Sequence, residues 1–266
     1  MLRSMYSGVS GLQNHQTKMD VIGNNIANVN TSGFKSSRVI FKDIYSQTIK
    51  KGTASVTGGI GGTNPQQIGM GVAIAAIDVL HTQTAVQYTG NPLDVSIDGD
   101  GLFGVTDGIN TYFTRAGNFY TDDQNNLVTA DGYLLLSEDG ATPINISGDY
   151  YDININRNGQ VVGIDRTTGS ETVIATIGIA TFNNQNALEK IGGNLYASNA
   201  NTGTPTFNAP GNNGTAFLNA GSLEMSNVDM AKEFTDMITT QRGFQANSRV
   251  ITTSDQMLEE LVNLKR

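Results

Sequence analysis

Only a few residue types in this chain could do covalent or acid–base chemistry. There are two histidines, His15 and His81, and 24 acidic residues spread along 266 positions, with no cysteine. A hydrolase or lyase needs a nucleophile or a general base held beside a partner that tunes it. No G-x-S-x-G, H-E-x-x-H or phosphate-loop spacing occurs. The stretch "DGDGLF" begins like a calcium loop at Asp98 and Asp100 but places Leu102 where an oxygen ligand belongs, and "DDQNNL" from Asp122 fails the same way at Leu127. Gly69-x-Gly71 lacks the third glycine of a dinucleotide fingerprint. No catalytic, cofactor-binding or metal-ligating residue is therefore expected. The chain is expected to act by assembling.

The elements around these residues follow from hydrophobic period. In the first 30 positions Leu2, Met5, Val9, Leu12, Met19 and Ile26 recur on alternating three- and four-residue steps, the seam of an amphipathic helix. A second seam runs through Met230, Met237, Phe244, Ile251 and Leu258, with Phe234, Gln241, Ser248, Asp255 and Val262 as its companion row. Asn227 stands where a helix cap is expected, with Glu224 near the helix start. Gly8, Gly11, Gly23 and Gly243 each weaken a helix by roughly 1 kcal/mol, so both helices are expected to need a partner. Between them the period falls to two. "LDVSID" reads as a strand with one wet face, and "YDININRNGQVVGI" turns at Asn158-Gly159, a strong hairpin signal.

These patterns predict an α+β fold: long N- and C-terminal helices pairing as a coiled-coil-like inner domain, with an inserted antiparallel all-β domain. The expected boundaries are residues 1–51 and 223–266 for the helical part and a glycine-rich linker over 52–71. A β-rich domain follows over 72–222, ending in a loop-rich return linker over 198–222. Charged residues make up only 15%, well below the roughly 25% of average soluble chains. The scattered basic residues near the start do not form a nucleic-acid patch, and no apolar run reaches the roughly 18 residues of a membrane span. "MLRSMYSGVSGLQ" has no continuous apolar core, so no cleaved secretory signal is expected. A secreted glycan-binding β module is disfavoured because the chain has no tryptophan and 7% aromatics.

"MYSGVSGLQNHQTKMDVIGNNIANVNTSGFK" (5–35) and "GSLEMSNVDMAKEFTDMITTQRGFQANSRVITTSDQMLEELVNLKR" (221–266) closely resemble the signature termini of the bacterial flagellar rod and hook protein family. "TGNPLDVSIDGDGLFGV" and "YFTRAGNFYTDDQNNLVTADGYLLL" are similar to the family's strand-rich domain. The resemblance implies a non-enzymatic subunit of a tubular polymer, with paired helices around a central channel and the β domain as an outer tube. It implies location in the flagellar basal body or hook and export without signal cleavage. Its implied partners are copies of itself, neighbouring rod and hook–filament junction proteins, the hook cap during assembly and the type III export apparatus. No nucleic acid, membrane or cofactor is implied. The self-association residues would be the apolar seams (Leu2, Met5, Val9, Leu12, Met19, Ile26; Met230, Phe234, Met237, Gln241, Phe244, Ile251, Leu258, Val262). Asn24, Asn25 and Asn28 would satisfy polar groups on adjacent copies. Within the family the glycine-rich linker favours the flexible hook type, nearest that of Gram-positive bacteria. The distal rod type, suited to a chain with no room for an extra outer domain, is the alternative.

Overall fold

The computed structural model describes residues 2–54, 61–146, 150–166, 169–212 and 214–264. It contains two long helices, α1 (Leu2–Ala27) and α2 (Met230–Asn263), and between them strands whose pairings are all antiparallel among the described residues. Two compact units result. One comprises Met1–Ala27, Ser37–Val79 and Asp229–Arg266, the other Asn28–Ser36 and Leu80–Val228.

In the helical unit, β1 (Ser37–Asp43) pairs with β4 (Val72–Val79), and β2 (Ser46–Lys50) with β3 (Gln66–Gly69). Part of the expected linker over 52–71 is thus strand, residues 55–60 lie outside the described residues, and Val72–Val79 belongs with the helices. A ladder partner in β2 makes sheet of Gln66–Gly69. Asp229, not Asn227, caps α2, its carboxylate accepting from the Ala231 and Lys232 amides at 2.9 and 3.3 Å.

The β unit is built around strand Leu102–Thr106, which pairs with Thr111–Thr114, Leu134–Leu135 and Ile179–Thr181. Its alternating residues feed two apolar clusters. Phe103 and Val105 join Val95, Phe119, Leu135 and Ile179 on one side, and Leu102 joins Phe113, Ala180 and Tyr196 on the other. The expected hairpin forms between Tyr150–Ile155 and Gln160–Asp165, with Gly159 at φ +74° in the turn. Two expectations give way. The "wet face" of Val95–Asp98 is covered except at Asp98: Ser96 is fully buried, its hydroxyl 2.8 Å from that of Ser222. The expected return linker carries strands Thr206–Asn208 and Phe217–Ala220, paired to Ile179–Thr181 and Val95–Asp98. Its turns are made by polar side chains, such as Thr202, fully buried and donating to the Asn199 carbonyl at 2.7 Å.

One buried charge cluster holds this unit's distant segments together. Lys35, Arg115 and Glu224 come from three of the stretches that carried the family resemblance, and each is at least 95% buried. Glu224 accepts from Lys35 Nζ at 2.7 Å, from Arg115 Nε and from the Thr84 amide at 3.2 Å, while its own carbonyl accepts from the Gly33 amide at 2.8 Å. Arg115 also donates to the carbonyls of Ile97, Gly99 and Gly101, so the loop that begins like a calcium site holds a guanidinium. Lys35 donates as well to the Thr82 carbonyl at 2.7 Å. Gly33 is required in this turn: its φ is +71°, and a Cβ there would lie 2.6 Å from the Ala116 nitrogen. Beside the cluster, the Asn227 carboxamide accepts from the Ser36 amide at 2.6 Å and donates to the Leu80 carbonyl at 2.7 Å. Glu224 and Asn227, both expected near a helix start, instead tie residues 33–36, 80–84 and 224–227 into one knot.

Burial alone would raise the Glu224 carboxyl, but the charge and hydrogen bonds of Arg115 and Lys35 outweigh it and hold it below its ordinary 4.5. His81 is pushed down to about 4, first by burial and then by Lys35, Lys190 and Arg115. Unfolded His81 takes its proton near 6.5 and folded His81 near 4, so stability falls as pH drops through that interval. The Glu224 contribution, present above 4.5, is lost only at lower pH, as pH falls through the folded value. Resistance of the full chain to urea, followed by tyrosine fluorescence, should weaken progressively from pH 6.5 to 4, and His81→Gln should lessen that loss. Glu224→Gln leaves two buried cations without their counter-charge and should cost about 3–5 kcal/mol. A Glu224→Gln chain as stable as wild type at pH 7 would contradict the cluster's role.

Candidate functional site

The site of interest is the helix pair, because self-association was assigned to its seams. α1 and α2 run antiparallel, as four pairings show. The Ser4 and Ser254 hydroxyls are 3.5 Å apart, Gly11 faces the Asn247 carboxamide, Gly243 faces the His15 ring, and Asn25 donates to Glu233 at 3.2 Å. The α2-facing row of α1 is therefore Ser4, Gly8, Gly11, His15 and Asn25. The matching row on α2 is Glu233, Thr240, Gly243, Asn247, Ile251 and Ser254. Apart from Ile251, small and polar residues make the intramolecular seam.

Space explains the choice. A methyl group on Gly11 would lie 2.5 Å from Asn247 Nδ2, and one on Gly243 would lie 2.8 Å from the His15 ring. Larger side chains would force the helices apart. Buried hydroxyls are tolerated because each is satisfied by its own helix. Thr240 donates to the Asp236 carbonyl at 2.6 Å and Ser254 to the Val250 carbonyl at 2.7 Å. Gly23, by contrast, has nothing within 4 Å of the position a Cβ would take.

On one flank of that seam α1 meets the β1–β4 ribbon. Asn14 donates to the Val72 carbonyl at 2.6 Å, the Val72 amide donates to Ser10 at 3.4 Å, and His15 meets Phe41 edge-on at 5.8 Å. The apolar row Met5, Val9, Leu12, Met19 and Ile26 falls one position later than the seam residues. At roughly 100° per residue this puts it on the opposite flank. Val9 is 41% exposed, and the other four are half-buried. The side chain of Leu2 lies outside the described residues. On α2, Ile251 lies in the seam and Met237, Phe244 and Leu258 border it, all half-buried, whereas Met230, Phe234, Gln241 and Val262 are exposed.

The three asparagines separate. Asn25 is buried within its own chain. Its carbonyl accepts from the Ser37 amide at 3.0 Å and its amide donates to the Ser37 carbonyl at 2.8 Å, the exchange a neighbouring strand would make. Asn25 therefore fixes the start of β1 in its own subunit, where it was expected to meet an adjacent copy. Asn28 lies in the β unit and accepts from the Thr31 hydroxyl at 3.1 Å. Asn24 is exposed. Sequence reasoning missed the glycine and polar seam, although Thr240, Asn247 and Ser254 at seven-residue spacing and Gly8 with Gly11 were visible signals. It also missed Lys35, Arg115 and Glu224, which nothing local in the sequence links.

Two substitutions should behave oppositely. Gly23→Ala should stabilise the helical unit by about 1 kcal/mol through helix propensity. Gly11→Leu should destabilise it by about 1–3 kcal/mol through overpacking. Far-UV circular dichroism during urea unfolding measures both, and equal effects would contradict the seam.

Comparison with known proteins places these features in a family. Residues 5–35 match the description "Flagella basal body rod protein", residues 96–163 "Flagellar hook protein FlgE/F/G D1 domain", and residues 219–264 "Flagellar basal body rod FlgEFG protein C-terminal". The flagellar basal-body rod protein FlgG of Bacillus subtilis is 55% identical over 267 residues, covering all of both chains. FlgG of Caulobacter vibrioides is 39% identical over 267 residues, covering 99% of this chain and all of the relative. The flagellar hook protein FlgE of Borreliella burgdorferi is 30% identical over an alignment of 443 residues, covering all of both chains. With the match running the length of both helices and the β unit, this chain belongs to the family of flagellar basal-body rod and hook structural proteins.

Proposed function

We propose that the chain is a distal-rod-type subunit that assembles with copies of itself through the exposed flanks of its helix pair. Length carries this reading. Rod relatives align over 267 residues with full coverage, whereas the hook relative needs 443 aligned positions to accommodate this chain. The expectation of a hook subunit rested on a resemblance to the Gram-positive hook type and on Gly52–Gly71 behaving as a free linker, and the pairing of β3, within that stretch, with β2 weakens the second ground. A stiff shaft is the better use of such a chain.

Self-association would use Val9, Met230, Phe234 and Val262, which are exposed, together with the half-buried Met5, Leu12, Met19, Ile26, Met237, Phe244, Ile251 and Leu258. A head-to-tail contact between two different faces builds an open helical polymer, not a closed dimer. Burial of such side chains contributes about 25 cal/mol per Å² of apolar surface removed from water. Adjacent rod and hook proteins would be the axial neighbours, and the type III export apparatus would deliver the chain without signal cleavage.

Electron microscopy of basal bodies from a strain lacking this chain tests the assignment. Loss of the distal rod together with everything beyond it is expected. A complete rod that lacks only the curved hook would overturn the rod reading and restore the hook.

A further inference from the structure

The seam between α1 and α2 contains one titratable ring. His15 sits where the helices approach closely, its ring against Gly243 on α2 and edge-on to Phe41 of β1. Its Nδ1 is shut off from solvent and has no hydrogen-bond partner. Nothing there offsets a positive charge. Among the described residues, the charged group that bears on the ring is Lys18, one turn along α1, and it repels. The seam positions of α2 nearest the ring are Thr240, whose hydroxyl is given to the Asp236 carbonyl, Gly243 and Asn247. Of the other charges on the packing elements, Lys42, Asp43 and Arg242 are exposed, and Asp78 of β4 pairs with Arg38 at 3.5 Å. The half-buried carboxylates of α2 are Glu233, which accepts from Asn25 at 3.2 Å, and Asp236, and neither bears on the ring. Burial first, and Lys18 second, push the imidazole below its ordinary 6.5.

We propose that His15 is an acid-sensitive latch on the helix pair. The neutral ring fills the space opposite Gly243, and protonation places a half-buried, uncompensated cation beside α2 and loosens the pair. The sign follows from linkage. The neutral form is favoured by the fold, so the latch is closed above 6.5 and opens as pH falls below it. The proposal rests on the helix pair being the self-association surface, since opening it would release copies from the polymer.

Full-length chain assembled at pH 8 and shifted stepwise to pH 5 provides the test, read by sedimentation and by far-UV helix signal. Assembly at pH 8 examines the self-association reading separately, and the pH profile examines the latch. Wild-type soluble protein should rise severalfold between pH 7 and 5 as helix signal falls. His15→Gln and the ring-preserving His15→Phe should hold both signals flat. Lys18→Gln, which removes the repulsion, should move the transition to lower pH. His81→Gln should retain the helix loss, because that histidine lies in the β unit. The helix signal reads the latch even in a variant that forms no tubes. Identical profiles for wild type and both His15 variants would overturn it.

Discussion

The close approach of α1 to α2 is the constraint on which the rest of the helical unit depends. Two helices come near enough for backbone to meet side chain only if one partner at each crossing is small, and here Gly8, Gly11 and Gly243 supply that. The cost is helix propensity, roughly 1 kcal/mol at each glycine. The return is an intramolecular contact that consumes little apolar surface. Methionine, leucine, valine and phenylalanine side chains are left half-buried or exposed along the flanks of the pair.

Polar groups do the locating in both units. In the helical unit Asn25 imitates a neighbouring strand toward Ser37 and also reaches Glu233, so one side chain registers α1, β1 and α2 together. In the β unit Glu224 gathers Lys35, Arg115 and Thr84. Buried hydrogen bonds and ion pairs add little net stability, but their loss leaves desolvated groups unpaired. They therefore act by excluding alternative arrangements. In a chain with so little charge, the buried charges stand out.

Much of the architecture was legible in the sequence. Periods near 3.6 and 2 separated helices from strands, and Asn158-Gly159 marked its hairpin. Rotation was not legible. On α1, choosing the apolar row as the seam placed it about 90° from the row that makes contact. Hydrophobic periodicity reports which face avoids water and does not say whether the cover comes from the same molecule. Composition likewise misjudged residues 198–222, whose asparagines, threonines and glycines build turns between paired strands, and 52–71, where Gln66–Gly69 finds a ladder partner in β2. Charge contacts between positions 35, 115 and 224 were invisible because nothing local links them.

Because the chain has no cysteine, single cysteines can report cover at chosen positions. The most direct measurement is the maleimide labelling rate of Val9→Cys and Phe234→Cys in unassembled protein and in tubes. The account predicts that both positions react readily in the free chain and are strongly protected once tubes form. Equal labelling rates in the two states would show that these flanks face solvent in the polymer, and the division between an inner polar seam and outer apolar flanks would fail.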